Sequence, residues 1–327
     1  MFELISPSTR IDFAGKRHFF VGLSGLLVVA SLVLLATRGL NYGIDFTGGA
    51  EVQVRVPKDW DIAKVRSEME KGQLKGLKVV QLGEPGASEF LVKAQGSESE
   101  LNQVSAQVEG VLKSVAGQGQ YEVQRVDVVG PAAGSSLRTS GFLSMFYALL
   151  CILIYVAVRF DIRYAPGAVL ALFHDTVLVL GIFVLTQKQF DLMTLAALLA
   201  LIGYSNNDTI IVFDRVRETL HAHPKLSIEE AVNKATNETL ARTILTSLTT
   251  FFSVVALFFF GGPVIHDFAF TFAVGIVIGS YSSIFVAGAV VIYITQYRQN
   301  KESQSRQGGG KPSKKKIVVR PEPKFES

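Results

Sequence analysis

The sequence predicts an α-helical polytopic membrane protein with six transmembrane helices and one small α+β domain between helices 1 and 2. Three observations predict it. The 327 residues are 49% hydrophobic and only 18% charged, too apolar for an ordinary soluble chain of this length. The apolar residues fall into six blocks of the roughly 18–25 residues that cross a bilayer. One stretch, 39–140, is instead charged and near-neutral overall, with strand and helix patterns of a small domain.

The first block, near 19–37, follows Arg10, Lys16 and Arg17. Basic residues before an apolar run also suit a cleaved signal peptide. This run is longer than a usual signal core, and Ala36-Thr37-Arg38 is a poor cleavage site, so a retained helix over 19–38 is expected after a cytoplasmic segment 1–18. Gly43, Ile44, Asp45, Phe46, Thr47, Gly48 and Gly49 lead out of it. Three glycines in seven residues point to a backbone needing positive φ or close approach. No lysine and helix start follow, as they would in a Walker loop. A structural turn is expected, with a polypeptide contact or a ligand loop as the alternatives.

Within 39–140 the pattern reads strand 51–56, helix 60–71, strand 77–82, strand 89–93, helix 97–115 and strand 121–128. The first strand alternates as EVQVRV, the period of a half-buried strand. The second helix keeps Leu101, Val104, Val108, Val111 and Leu112 on one stripe. Gly83, Pro85 and Gly86 supply the turn between the middle strands. The order β-α-β-β-α-β is that of the ferredoxin-like split unit, a fold that identifies no function by itself. The stretch holds no Cys/His cluster, nucleophile triad or phosphate loop, so a binding or docking module is expected. Gly130, Pro131 and Gly134 close it.

The remaining spans are expected near 141–158, 165–186, 192–213, 243–260 and 268–293, within a region 141–295. The lone Cys151 excludes an internal disulfide. Residues 227–240 read as a short amphipathic helix along the cytoplasmic interface, with Ser227 as N-cap and Glu230 three residues on. Residues 296–327, with GGGKPSKKK, read as a disordered basic tail that can touch anionic lipid heads. Lysines and arginines cluster before span one, at Arg159 and Arg163, at Arg215, Arg217, Lys225 and Lys234, and in the tail. The loops 187–191 and 261–267 hold only Lys188. Both termini are therefore expected in the cytoplasm, with 39–140 on the opposite side. This asymmetry accounts for the net charge of +4 and leaves no reason to invoke nucleic acid.

The chemistry concentrates in span four. Asp208 stands in an apolar helix, where a carboxylate costs several kcal/mol. It lies roughly 9 Å past the span's midpoint at 1.5 Å per residue. Tyr204 and Ser205 share its face, and Asn207 adjoins it. On span five, Arg242, Thr246, Thr249, Thr250 and Ser253 form a polar stripe that lipid does not reward. Arg242 is a candidate partner for Asp208. Burial and a neighbouring guanidinium act on a carboxylate in opposite directions, so a change in their separation switches proton affinity. A lysine at 242 lacks the planar fork such a pair uses. A static ion pair that only fixes packing is the alternative. His174-Asp175 in span three is a second titratable pair, either on a hydrated pathway or simply hydrogen-bonded packing. His221 and His223 lack further ligands, so no metal and no cofactor is expected. Gly275 and Gly279, with Ser280, Ser282 and Ser283, give span six a face for close packing.

Taken in order, residues 43–49 (GIDFTGG), Val129-Gly130-Pro131, His174-Asp175, 203–218 (GYSNNDTIIVFDRVRE), 242–250 (RTILTSLTT), Gly261-Gly262-Pro263 and 275–285 (GIVIGSYSSIF) resemble the SecF half of the SecD/SecF family, within the RND superfamily. The match runs from about residue 5 to 295. Asn206 stands where a small apolar residue or leucine is more usual, and the basic tail is outside the pattern. The resemblance implies half of an RND-type bundle. It also implies SecD as partner, work beside the SecYEG channel with SecA and YajC, and use of the proton-motive force to draw unfolded preprotein across the bacterial inner membrane. It assigns proton coupling to Asp208 and Arg242. An RND-type exporter of small molecules or lipids is the rival, but it needs larger external domains. An intramembrane hydrolase needs a converging nucleophile and base that the spans lack. No covalent chemistry is expected, and H⁺ and Na⁺ are not separated by the residues around Asp208.

Overall fold

The computed structural model describes residues 10–72, 74–82, 88–96, 101–116, 120–160 and 163–308. Six helices in it are long and apolar enough to cross a membrane. They are α1 (Arg17–Arg38), α5 (Pro131–Arg159), α6 (Ala165–Thr186), α7 (Leu192–Ala222), α8 (Ile228–Phe260) and a composite sixth. The sixth joins α9 (Gly262–Ser282), a π-helical turn (Ser283–Ala287) and α10 (Gly288–Gly308). Helix α6 is apolar on nearly every side, His174 and Asp175 excepted, and lies inside, with 72% of its most apolar window buried, against 11% for α1 and 17% for α5 and α8. A helix hydrophobic on every side belongs in a core. Small residues let its neighbours close in. A Cβ at Gly181 would lie 2.3 Å from Ser31 Oγ of α1, and one at Gly167 3.0 Å from Val291 Cγ2 of α10.

The inserted domain runs β2 (Gly49–Arg55), α3 (Ile62–Lys71), β3 (Lys78–Leu82), β4 (Glu89–Gln95), α4 (Leu101–Ala116) and β5 (Glu122–Val129). Its sheet has the order β3-β4-β2-β5, every neighbouring pair antiparallel. Val52, Val54, Phe90 and Val92 from the strands meet Val65, Met69, Val108 and Leu112 from α3 and α4 in one fully buried cluster. Each such side chain contributes about 1.5–3 kcal/mol by leaving water. The other face is mostly polar, with Val80, Leu82 and Leu91 among its charges. Arg55 bonds Glu89 at 2.6 Å and Glu122 at 3.2 Å, and its hydrogen bond holds the Glu89 carboxyl below the usual range. Burial pulls Lys93 down, but its bond to Glu51 at 2.8 Å and the charges of Glu51, Asp45 and Asp191 together outweigh that and raise it. The turn expected at Gly83, Pro85 and Gly86 lies outside the described residues.

A compact junction joins this domain to the bundle. β1 (Asn41–Tyr42) pairs in parallel with β6 (Gln189–Phe190), just before α7. The four-residue α2 (Ile44–Thr47) follows. Gly48 has φ 83°, and a Cβ there would sit 2.8 Å from Pro131. Only glycine satisfies both conditions cheaply. Asp45 Oδ2 accepts from the backbone N–H of Leu192 at 3.0 Å, and Asp191 Oδ1 accepts from that of Thr194 at 2.9 Å. Two carboxylates thus serve the free amides at the start of α7. Asp267 of α9 bonds Lys78 of β3 at 2.7 Å and Lys188 at 3.1 Å.

Three elements differ from the sequence expectation. Helix α5 begins at Pro131, ten residues before 141, because Pro131 starts a helix behind the extended Gly130. Residues 227–240 are no separate interfacial helix. Ser227 and Glu230 do form a reciprocal capping box, but nothing then breaks the chain, so α8 runs on to Phe260. The segment 296–327 is helical as far as Gly308, and 309–327 lie outside the described residues.

Candidate functional site in the helix bundle

Helix α7 turns Ser205, Asp208 and Thr209 inward, three and four residues apart and so on one face. Asp208 is 3% exposed. Helix α9 crosses closely here because Gly275 and Gly279 carry no side chain. A Cβ at 275 would meet Leu201 Cδ2 at 2.4 Å, and one at 279 Ser205 Oγ at 3.0 Å. That approach brings the α9 serines within reach of three helices. Ser280 Oγ donates to Ser247 Oγ of α8 at 2.8 Å, and Ser247 Oγ donates to Asp208 Oδ2 at 3.3 Å. Ser205 Oγ and Ser282 Oγ donate to Asp175 Oδ2 of α6 at 2.7 and 2.8 Å. His174 Nδ1 lies 2.9 Å from Asp175 Oδ1. Thr209 Oγ1 and Ser283 Oγ share a bond of 3.1 Å. The π-helical turn begins at Ser283, the position of this last contact. Such turns recur at functional sites.

Several residues expected beside Asp208 stand elsewhere. Arg242 is exposed and forms no ion pair with Asp208. Residues 236, 239, 243 and 247 of α8 face inward, and Arg242 is turned about 100° from Thr243. It remains within electrostatic range of Asp208. Thr246 and Thr250 also miss the site. Their hydroxyls donate to the carbonyls of Arg242 and Thr246 on their own helix, at 3.0 and 2.9 Å. Asn207 is exposed. Tyr204 packs edge-on against Phe272 of α9, ring centroids 5.7 Å apart. Ser205 serves Asp175 and not Asp208. The residues that reasoning from sequence missed as partners are Ser247, Ser280, Ser282, Ser283 and Thr209. One signal was available: Thr236, Thr239, Thr243 and Ser247 form a second polar stripe on α8, and it is the buried one. Among the described residues, no three His, Cys, Asp or Glu side chains converge to hold a metal.

Six membrane helices around two buried carboxylates, with one inserted α+β domain, define a multi-pass membrane protein. A family model for the protein export membrane protein SecD/SecF C-terminal region matches residues 107–297, and one for the SecD/SecF GG motif matches 33–56. A protein translocase subunit SecF from Calditerrivibrio nitroreducens is 44% identical over 91% of this chain and 98% of its own. Its counterpart from Magnetococcus marinus is 46% identical over 89% and 94%. The crystal structure of SecDF from Thermus thermophilus, described as a translocon-associated membrane protein, superposes with a TM-score of 0.76 at 34% identity. That match covers 90% of this chain and 40% of the SecDF chain, so this chain spans about two-fifths of its length. The chain belongs to the SecD/SecF family of protein export membrane proteins.

Proposed function

We propose that this chain is an accessory subunit of the Sec protein translocase. Paired with SecD, it uses the proton-motive force to promote export of unfolded preprotein across the bacterial inner membrane, alongside SecA, SecYEG and YajC. Both termini face the cytoplasm, as the lysine and arginine distribution supports. Residues 39–140 act outside as a ferredoxin-like docking module that grips and releases polypeptide. No covalent chemistry is involved.

The observation that carries this reading is Asp208, buried on α7 and bonded through Ser247 to α8 and on to Ser280 of α9. Neutralising a buried carboxylate removes the cost of its charge and weakens the hydrogen bond donated to it. The α7–α8–α9 packing then has two states that proton binding selects between. Arg242 acts on Asp208 as a charge from the face that the SecD half covers, with Thr246 and Thr250 on the same face. Tyr204 and Asn207 support the α7 surroundings. The Asp45 bond to the start of α7 passes its movement through α2 to β2.

Export into inverted vesicles under imposed ΔpH or ΔpNa, wild type against Asp208→Asn, tests the reading. Loss of the ΔpH-driven component, with folding and SecD association retained, is the expected result. Undiminished ΔpH-driven export in the variant overturns it, and dependence on ΔpNa alone assigns Na⁺ as the coupling ion.

A further inference from the structure

A second carboxylate, on α6, meets the same face of α7. Asp175 is 1% exposed and His174 4%. Asp175 Oδ1 lies 2.9 Å from His174 Nδ1, and its Oδ2 accepts from Ser205 and Ser282. His174 Nε2 is buried and has no hydrogen-bond partner. Its ring lies 6.0 Å from that of Tyr281.

The charges facing this pair are few. Within the membrane part of α7 the ionisable side chains are Tyr204 and Asp208, and on α8 the exposed Arg242. Helix α1 carries none between His18 and Arg38. Helix α5 offers only Tyr147, Cys151 and Tyr155 between Arg138 and Arg159. The sixth span offers only Tyr281 between Asp267 and Tyr293. Among the described residues no lysine or arginine forms an ion pair with Asp175. An isolated buried carboxylate costs several kcal/mol, and a neighbouring imidazole avoids that cost when the two groups hold one extra proton between them.

We propose that His174 and Asp175 form a second proton-binding site, separate from Asp208. The proton enters at His174 Nε2, the imidazole releases its Nδ1 proton to Asp175 Oδ1, and the imidazole ends neutral beside a neutral acid. Release runs the same steps backward, so atoms and charge balance. Occupancy changes the acceptor that Ser205 of α7 and Ser282 of α9 both use. Ser205 is one turn from Asp208, so the two sites bias one helix. The use of this site in export rests on the coupling role proposed for Asp208, whereas proton binding at it does not.

Infrared difference spectra of the full-length chain in lipid nanodiscs, taken between about pH 5 and about pH 9, read carboxyl and imidazole protonation directly. In Asp208→Asn, a buried pH-dependent band is expected to persist. It is expected to vanish when Asp175→Asn is added and to return with Asp175→Glu, a variant that keeps the carboxyl should the asparagine form fold poorly. His174→Gln is expected to move its midpoint. A titrating band absent from Asp208→Asn, or one that survives Asp175→Asn, overturns the proposal. Either result leaves the Asp208 reading to the export assay, which does not depend on this band.

Discussion

Asp208 receives its hydrogen bond from a serine, and Arg242, exposed on the next helix, reaches it only through its field. That difference sets an expectation for substitutions. A charge acting at a distance is preserved by lysine, whereas a bidentate contact is not. Arg242→Lys is expected to keep most of the ΔpH-driven export and Arg242→Gln to lose it, measured in inverted vesicles. A lysine form as poor as the glutamine form shows that the guanidinium plane itself is used. Asp208 was legible in the sequence because one charge inside an apolar run is conspicuous. Its partners were not. Serine and threonine cost little in a membrane helix, so Ser247, Ser280, Ser282 and Ser283 weigh almost nothing in a hydropathy profile and pass for small packing residues. Nor could periodicity rank the two polar stripes of α8, since both repeat at helical spacing and only packing decides which is buried.

At the scale of elements, the glycines of the 43–49 turn were read correctly as places of tight backbone, because φ and crowding leave few other residues possible at Gly48. The role of Asp45 was not readable, since the amide it accepts from belongs to Leu192, far along the chain. Removing such a helix-start acceptor costs about 1 kcal/mol, a factor of about five in a local equilibrium. Asp45→Ala is therefore expected to raise hydrogen exchange in the first turn of α7 about fivefold. It should also break the response of β2 amides to Asp208→Asn that the unaltered junction transmits. Unchanged exchange at both places removes Asp45 from the coupling. The onset of α5 and the continuity of α8 escaped the sequence for a common reason: hydropathy marks where a helix is apolar, and says nothing of where it starts or stops.

At the scale of the molecule, α1, α5 and α8 are the least covered spans, and α8 carries its exposed stripe of Arg242, Thr246, Thr249 and Ser253 there. Hydroxyls and a guanidinium gain nothing from lipid tails, so we propose this face as the one that packs against SecD. A cysteine at Thr249 is expected to cross-link to SecD in membranes and one at Ser247 is not; cross-linking from 247 alone reverses the assigned orientation of α8. The short ladder between β1 and β6 bears on how the protein is made. Its two strands run in the same direction and belong to segments that flank the whole inserted domain and two membrane spans. Contacts between segments so distant in the chain close late, after local structure has formed. The domain can thus complete its own sheet while the chain is still emerging, yet stays hinged to α1 until Gln189 and Phe190 arrive behind α6. The ladder is a clasp that closes only after α6 is made, and the bonds of Asp267 to Lys78 and Lys188 add a second fastening once α9 follows.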